Sequence, residues 1–212
     1  MTAEAVLEAR DAPVAQNQPV AAIVLAAGGS RRLGRPKQLI QKDGESLLRR
    51  SARLAVDAGC APVVVVLGWQ AYLMERELAG LAVSIAVNAE WESGMASSLC
   101  CGLRAISGQE PESAMVLVCD QPLLTVEALT SLIASHDSEN GEGAPDITAS
   151  SYSGARGVPA IFKKGVFPSL MQLKGDEGAR RIISDPLWKV ATVEFAGGAV
   201  DVDLQTDLLN LY

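Results

Sequence analysis

The chain has 212 residues, 49% of them apolar and 20% charged, with a formal net charge of −7. That length can bury one sizeable core, the acidity argues against nucleic acid as a partner, and no run of about 20 uncharged apolar residues offers a membrane span. The N-terminus lacks a basic-then-apolar signal pattern, which predicts a cytoplasmic protein; the four cysteines, Cys60, Cys100, Cys101 and Cys119, lack CxxC spacing and have the apolar flanks of buried thiols.

Residues 1–19 are rich in Ala, Glu and Gln without sustained apolar periodicity and read as a flexible tail; residues 20–212 read as a single domain. The stretch from Ile23 to Leu39, IVLAAGGSRRLGRPKQL, opens as a buried parallel strand and breaks at Gly28-Gly29-Ser30. Glycines there let backbone N–H groups approach an anion closely, and Arg31, Arg32, Arg35 and Lys37 add four cations within seven residues. The combination predicts a polyphosphate site. Its spacing matches neither GxxxxGK[ST] nor GxGxxG, and a strand followed by a solvated basic loop is the plainer alternative. Ser46 caps a helix with Leu47, Leu48, Leu54, Ala55 and Ala58 on its apolar face, stopped by Gly59. Val63–Leu67 predicts a central strand, Gln70–Leu81 a helix and Val83–Val87 a third strand, an alternation that implies a parallel sheet.

In Asn88–Leu103, NAEWESGMASSLCCGL, Gly94 ends a loop and Met95, Leu99 and Leu103 share one helical face, which puts Ser97 and Ser98 in the first turn, as caps or as ligand groups. Met115–Cys119 is an apolar strand ending in Asp120-Gln121-Pro122. Ligands of open α/β sheets sit beyond the carboxyl ends of strands, so Asp120 is placed to hold Mg²⁺, which needs only one or two protein carboxylates beside phosphates; a turn cap ahead of Pro122 is the structural alternative. Thr125 caps the next helix, to about Ser135. His136, the one histidine, reads as solvated, which leaves a Ser-His-Asp or Cys-His hydrolase without a base. Ile147–Ser151 is strand-like, Gly157–Phe162 turns back as an apolar segment, and Gly175–Arg180 precedes a helix ending near Ser184. Val190–Phe195 and Ala199–Val202 read as edge strands, and Asp201, Asp203 and Asp207 lead into or join a final helix, whose dipole would itself favour carboxylates.

Together these words resemble the MobA-like NTP transferase superfamily, in its molybdenum cofactor cytidylyltransferase branch. Leu25, Ala26, Ala27, Gly28, Ser30, Arg32, Gly34 and Lys37 fall on the signature LAAGxSxRMGxxK, with Leu33 in place of Met. Asn88, Trp91, Gly94, Met95, Ser98, Leu99, Gly102 and Leu103 match NxxWxxGMxxSLxxGL, and Cys119–Pro122 matches CDQP. Gly157–Phe162 and Gly175–Arg180 resemble GxPAxF and GDxGAR; Asp201-Val202-Asp203 with Asp207 and Leu208 resembles DxDTPxDL, although Leu204, Gln205 and Thr206 replace its Thr-Pro-x.

The resemblance implies a three-layer Rossmann-like α/β nucleotidyltransferase fold, its mostly parallel central sheet carrying helices on both faces. Residues 20–125 would form mainly the nucleotide half and 126–212 mainly the acceptor half. Arg32, Lys37 and Asp120 are the expected catalytic residues. Leu25, Ala26, Ala27, Gly28, Gly29, Ser30, Gly94, Ser98, Asp176 and Arg180 are the expected nucleotide and acceptor contacts, with Asp176 as a plain cap and Arg180 as a solvated cation the alternatives. Asp120 and Asp203, or Asp201 in another register, would hold Mg²⁺ or Mn²⁺. The implied reaction moves CMP from CTP to a molybdopterin-type acceptor and releases pyrophosphate, with a molybdoenzyme or its maturation chaperone as a further partner. Transfer to a sugar or polyol phosphate, and a non-catalytic cofactor-binding chaperone, are the alternatives. Ala27 bears on the base: guanylyl relatives have LAGG, and a methyl at the third position narrows the slot toward a pyrimidine.

Overall fold

Strand β1 (Ala21–Leu25) is buried along its whole length in the computed structural model, which describes residues 18–30, 33–138, 143–202 and 207. After it come β2 (Gln41–Lys42) and β3 (Glu45–Ser46), a small hairpin, then α1 (Leu47–Asp57), β4 (Val63–Leu67), α2 (Ala71–Met74), β5 (Ser84–Val87), α3 (Met95–Ser107), β6 (Ser113–Val118) and α4 (Val126–Ser138). The second half supplies β7 (Ile147–Tyr152), β8 (Ala155–Lys163), α5 (Phe167–Leu170), α6 (Arg180–Ile183) and β9 (Val190–Glu194). Seven strands form one sheet in the order β5-β4-β1-β6-β8-β7-β9. All its pairings are parallel except those of β8, which runs antiparallel to both β6 and β7.

Because side chains alternate across a strand, the fully apolar central strands feed two cores. Ala22, Val24, Val65, Leu67, Met115 and Leu117 meet Leu48 and Ala52 of α1 and Leu129 and Leu132 of α4 on one face. Ile23, Val64, Val66, Ala114 and Val116 meet Leu99, Leu103 and Ile106 of α3 and Ile182 and Ile183 of α6 on the other. The expected mostly parallel sheet with helices on both faces is the observed fold.

Local chemistry explains the element ends. Ser46 Oγ accepts the Arg49 N–H at 3.3 Å and caps α1, and Thr125 Oγ1 accepts the Ala128 N–H at 3.2 Å at the start of α4. The expected helix over Gln70–Leu81 is shorter: α2 gives way to a 3₁₀ turn at Glu75–Leu78. The carbonyls left over by that tightening, Glu77 and Ala79, accept from Arg49 Nη1 at 2.7 and 2.9 Å. Within β8, Pro159 has no N–H for the ladder; the register slips opposite it at Ala149/Ser150, and the buried Ser150 hydroxyl donates to the Pro159 carbonyl at 2.7 Å.

Two other expectations are corrected. Ala199–Val202 is not an edge strand. Residues Ala196–Ala199 form a 3₁₀ turn closed over Tyr152, where a Cβ on Gly198 would lie 2.4 Å from the ring, and the Val202 N–H then bonds the Asp120 carbonyl at 3.0 Å instead of a strand. His136 is buried, not solvated: α4 presses it against β7, with Nδ1 3.3 Å from Thr148 Oγ1. The expected tail apart from residues 18 and 19, Arg31, Arg32, Asp203 and the last helix apart from Asp207 lie outside the described residues.

Two predictions follow from this packing. A Cβ on Gly102 would sit 2.4 Å from Ile23 Cγ2 and 3.1 Å from Val66 Cγ2, so the glycine sets how closely α3 lies on the sheet. Gly102→Val should cost about 1–3 kcal/mol by overpacking, while Gly102→Ala, which regains about 1 kcal/mol of helix propensity, should cost less; urea denaturation measures both. Burial holds the His136 pKa below its ordinary value, Lys163 pushes the same way and Asp137 opposes. The unfolded chain therefore binds the proton more readily, and stability present above the unfolded pKa is lost as pH falls toward the lower folded one. Thermal denaturation between about pH 5 and 7 should show His136→Gln with a flatter acid dependence than the unmodified protein; equal slopes would show that His136 does not carry it.

Candidate functional site

The strand order reverses direction between β1 and β6, and the carboxyl ends of these two strands open a cleft of about 340 Å³. One wall is the loop after β1. Leu25, Ala26, Ala27, Gly28, Gly29 and Ser30 all line the cleft. A Cβ on Gly28 would meet no atom of the described residues within 4 Å, so their packing does not require a glycine there and the space is left on the cleft side. Gly29 is confined instead, by Trp91, whose ring would be 3.3 Å from an added Cβ. The same indole covers Gly68, and so serves as packing as well as a cleft wall.

The 3₁₀ turn at Lys37–Leu39 carries the cation and a residue that sequence reasoning passed over. Lys37 Nζ donates to Asp120 Oδ2 across the cleft, with the two side chains 20% and 16% exposed. Partial burial strengthens such a pair, and removal of either member leaves the other charge uncompensated. Gln38, fully buried, donates Nε2 to the carbonyls of Ala26 at 2.9 Å and Gly28 at 2.7 Å, and its Oε1 accepts the Ser30 hydroxyl at 3.3 Å. Ser30 Oγ in turn accepts the Lys37 N–H at 3.0 Å, with Ser30 in the left-handed region at φ 50°. Nothing in the apolar periodicity marks Gln38; the one available signal is a polar residue inside the run Gln-Leu-Ile that leads to the next buried position.

The opposite wall is the start of α3. Gly94, at φ 110°, precedes the helix, and neither Ser97 nor Ser98 caps it. The close approach that Gly94 permits is to the chain itself: a Cβ would fall 2.2 Å from the Gly175 carbonyl group, and the Ala96 N–H donates to the Gly175 oxygen at 3.0 Å. That contact brings Asp176 to the cleft rim. Met95, expected on the buried face with Leu99 and Leu103, is 45% exposed, because it begins α3 at the cleft and lines that opening instead of the core. Ser98 lines the cleft too, but its hydroxyl accepts from Asn88 Nδ2 at 3.0 Å, and Asn88 also donates to Ser97 Oγ at 2.8 Å. The buried Asn88 thus sets the Ser98 rotor, a second role absent from the sequence reading.

The floor is Val118, Cys119 and Asp120. Burial pushes the Cys119 thiol up to about 12, with the neighbouring Asp120 charge adding to the effect, so Cys119 stays protonated and is no nucleophile. Val202 is fully buried against Leu33, Ile40 and Leu47, which accounts for the apolar Leu33 in the signature and fastens Asp201 near Asp120. Asp203 and Arg32 lie outside the described residues. Arg180 is exposed and does not line the cleft. Its charge reaches Tyr152, whose pKa is raised chiefly by burial and is lowered in part by Arg180.

Asp120, at a strand end and open to the cleft, fits a divalent cation that takes its remaining oxygens from phosphates and water, while Asp201, the residue before Val202, is exposed and does not line the cleft. Among the described residues, no three His, Cys, Asp or Glu side chains cluster as a self-sufficient metal site, and no helix is long and apolar enough to cross a membrane. A more open groove of about 530 Å³ flanks α3 beside Cys101, Arg104 and Lys174 and contains none of the residues at the ends of β1 and β6.

Comparison with known proteins identifies the family. The chain is 31% identical over 196 residues to the Nicotine blue oxidoreductase of Paenarthrobacter nicotinovorans, covering 88% of this chain and 92% of that protein. It is 32% identical over 169 residues to the Purine catabolism protein PucB of Bacillus subtilis (strain 168), covering 76% and 78%. Among solved structures, the rv0371c homolog from mycobacterium sp. strain JC1 superposes with a TM-score of 0.76 at 30% identity, over 91% of this chain and 94% of that one. The model of the MobA-like NTP transferase domain matches residues 22–192, and the chain belongs to that family of nucleotidyltransferases.

Proposed function

We propose that this nucleotidyltransferase moves CMP from CTP to a molybdopterin-type phosphate acceptor with release of pyrophosphate. The observation that carries the reading is the convergence of the β1 loop, Lys37, Ser98, Asp120 and Asp176 on one cleft at the β1/β6 divide. In such a transfer an acceptor phosphate oxygen forms a bond to the α-phosphorus of the nucleotide as the bond from that phosphorus to the bridging oxygen breaks, and the electron pair leaves with pyrophosphate. An acceptor already ionised near neutral pH has no proton to give up, which suits a cleft without a histidine. What the reaction needs is alignment and neutralisation of charge on the leaving group.

In this reading the N–H groups of the β1 loop and the Lys37 ammonium hold the triphosphate. Lys37 rests on Asp120 in the structure, and an incoming triphosphate offers it a competing anion. Asp120, with Asp203 or Asp201, holds Mg²⁺ or Mn²⁺. When bound, the cation neutralises developing charge on the phosphoryl oxygens. Arg32 adds a further positive charge to the loop. Ser98, oriented by Asn88, contacts base or ribose, and Asp176 at the cleft rim faces the acceptor, with Arg180 outside the cleft reaching only the part of the acceptor that projects from it. Residues 20–212 would act as one domain, with a molybdoenzyme or its maturation chaperone receiving the product in the cytoplasm.

The likeness to Nicotine blue oxidoreductase favours a second reading, in which the cleft holds a nucleotide as electron carrier and not as group donor. Incubation with each nucleoside triphosphate, Mg²⁺ and molybdopterin, followed by mass spectrometry of the product, tests the first; turnover of a reduced nicotinamide nucleotide with a dye acceptor, without pyrophosphate release, would replace it by the second. Asp120→Asn should lower the transfer rate by about two to three orders of magnitude while circular dichroism stays unchanged; a near-normal rate would remove Asp120 from the mechanism. CTP should be used in preference to GTP, and Ala27→Gly should relax that preference by no more than the roughly 10–200-fold that a single methyl commands. Equal use of both by the unmodified protein, or an unchanged ratio in the variant, would show that Ala27 does not select the base.

A further inference from the structure

We infer that Gln38 is a positioning residue that sets the loop after β1 for a phosphate chain, an inference that rests on the nucleotidyl-transfer reading of the cleft. Three consecutive carbonyls of that loop are held by donors of the protein. Ala26 and Gly28 accept from Gln38 Nε2 at 2.9 and 2.7 Å, and Ala27 between them accepts from the Trp69 N–H at 3.0 Å. In a planar trans peptide the carbonyl and the following N–H point in opposite directions. Fixing the Ala26 and Gly28 oxygens on Gln38 therefore turns the N–H groups of Ala27 and Gly29 away from it, and Trp69 does the same for the N–H of Gly28.

The Gly28-Gly29 peptide is the one most in need of such a hold. Flanked by residues without a Cβ, it can rotate to either orientation at little steric cost. Turned over, it would present a carbonyl oxygen, not an N–H, to a polyanion. Gln38 uses both hydrogens of its amide on this task and closes the arrangement with Oε1 on the Ser30 hydroxyl, whose oxygen also takes the N–H of Lys37. One buried carboxamide thus couples the direction of the loop's N–H groups to the backbone position of the cation that shares their ligand. Its effect belongs to the phosphate chain and not to the nucleoside, which meets the wall at Ser98.

Gln38→Met keeps the length and most of the volume of the side chain and removes its donors. Titration calorimetry with pyrophosphate and, separately, with cytidine should show pyrophosphate affinity reduced at least about tenfold, as expected when the buried Ala26 carbonyl loses its donor and the Gly28 carbonyl is released with it, and cytidine affinity within about twofold. Pyrophosphate affinity within twofold of the unmodified protein, or an equal loss for both ligands, overturns the role. Absence of pyrophosphate binding in the unmodified protein overturns the transfer reading itself. If the variant does not fold, NMR of the unmodified protein decides: slow exchange of the Gln38 side-chain amide protons with water before any pyrophosphate is added supports a loop set in advance, and rapid exchange overturns it.

Discussion

Where β1 leaves the sheet between two parallel neighbours, its peptide groups lose the ladder and must find other partners. That constraint organises the cleft. The carbonyls of residues 26 to 28 are all taken by Gln38 and Trp69, so the loop has a defined direction before any ligand arrives. Ala26 and Ala27 are buried, and because a buried unpaired carbonyl costs about 1–3 kcal/mol, pairing these two specifies the loop, with the Gly28 carbonyl held beside them at the exposed end. The same loop could not lie so flat without Gly29 and Gly68 leaving room for Trp91.

Parts of the chain far apart in sequence close on this centre by backbone contact. The loop at Gly175 reaches α3 because Gly94 has no side chain in the way, and the C-terminal segment reaches Asp120 through the N–H of Val202. Val202 is also apolar filling for Leu33 and Leu47. Hydrophobic burial therefore delivers an acidic segment to the site, which separates the energy that places the carboxylate from the chemistry proposed for it. A carboxylate docked only by its own charge would gain little at an exposed position.

Within the cleft, Lys37 and Asp120 balance one another, while Glu92 and Asp176 add negative charge to its lining. A chain of net charge −7 would repel a triphosphate at long range, and the positive groups needed against that are concentrated in one short segment. Lys37 resting on Asp120 neutralises both groups while they are shielded from water, and each has a better-matched partner in a nucleotide carrying a divalent cation. In the proposed function this exchange of partners replaces a large cost of desolvation at binding.

Much of this protein is local and was legible in order along the chain. Fully apolar runs such as Val63–Leu67 declare parallel strands because both faces of the sheet are covered, Ser46 and Thr125 declare helix starts because their oxygens accept orphan N–H groups, and the signature at Leu25–Lys37 declares the family. What only the tertiary structure decided is which polar groups face one another. Periodicity reports how often a side chain meets apolar surroundings and is silent about hydrogen-bond partners. Gln38 therefore looked like an ordinary polar residue until its carboxamide was seen against Ala26 and Gly28, and His136 looked solvated until α4 was seen against β7. Gly94 marked a close approach in both, but sequence could not say to what; the partner, Gly175, stands 81 residues later and is chosen by the packing of α3. Sequence determined the elements because their causes lie within a few residues, and the structure alone set the contacts of the cleft because their causes are distributed over the whole chain.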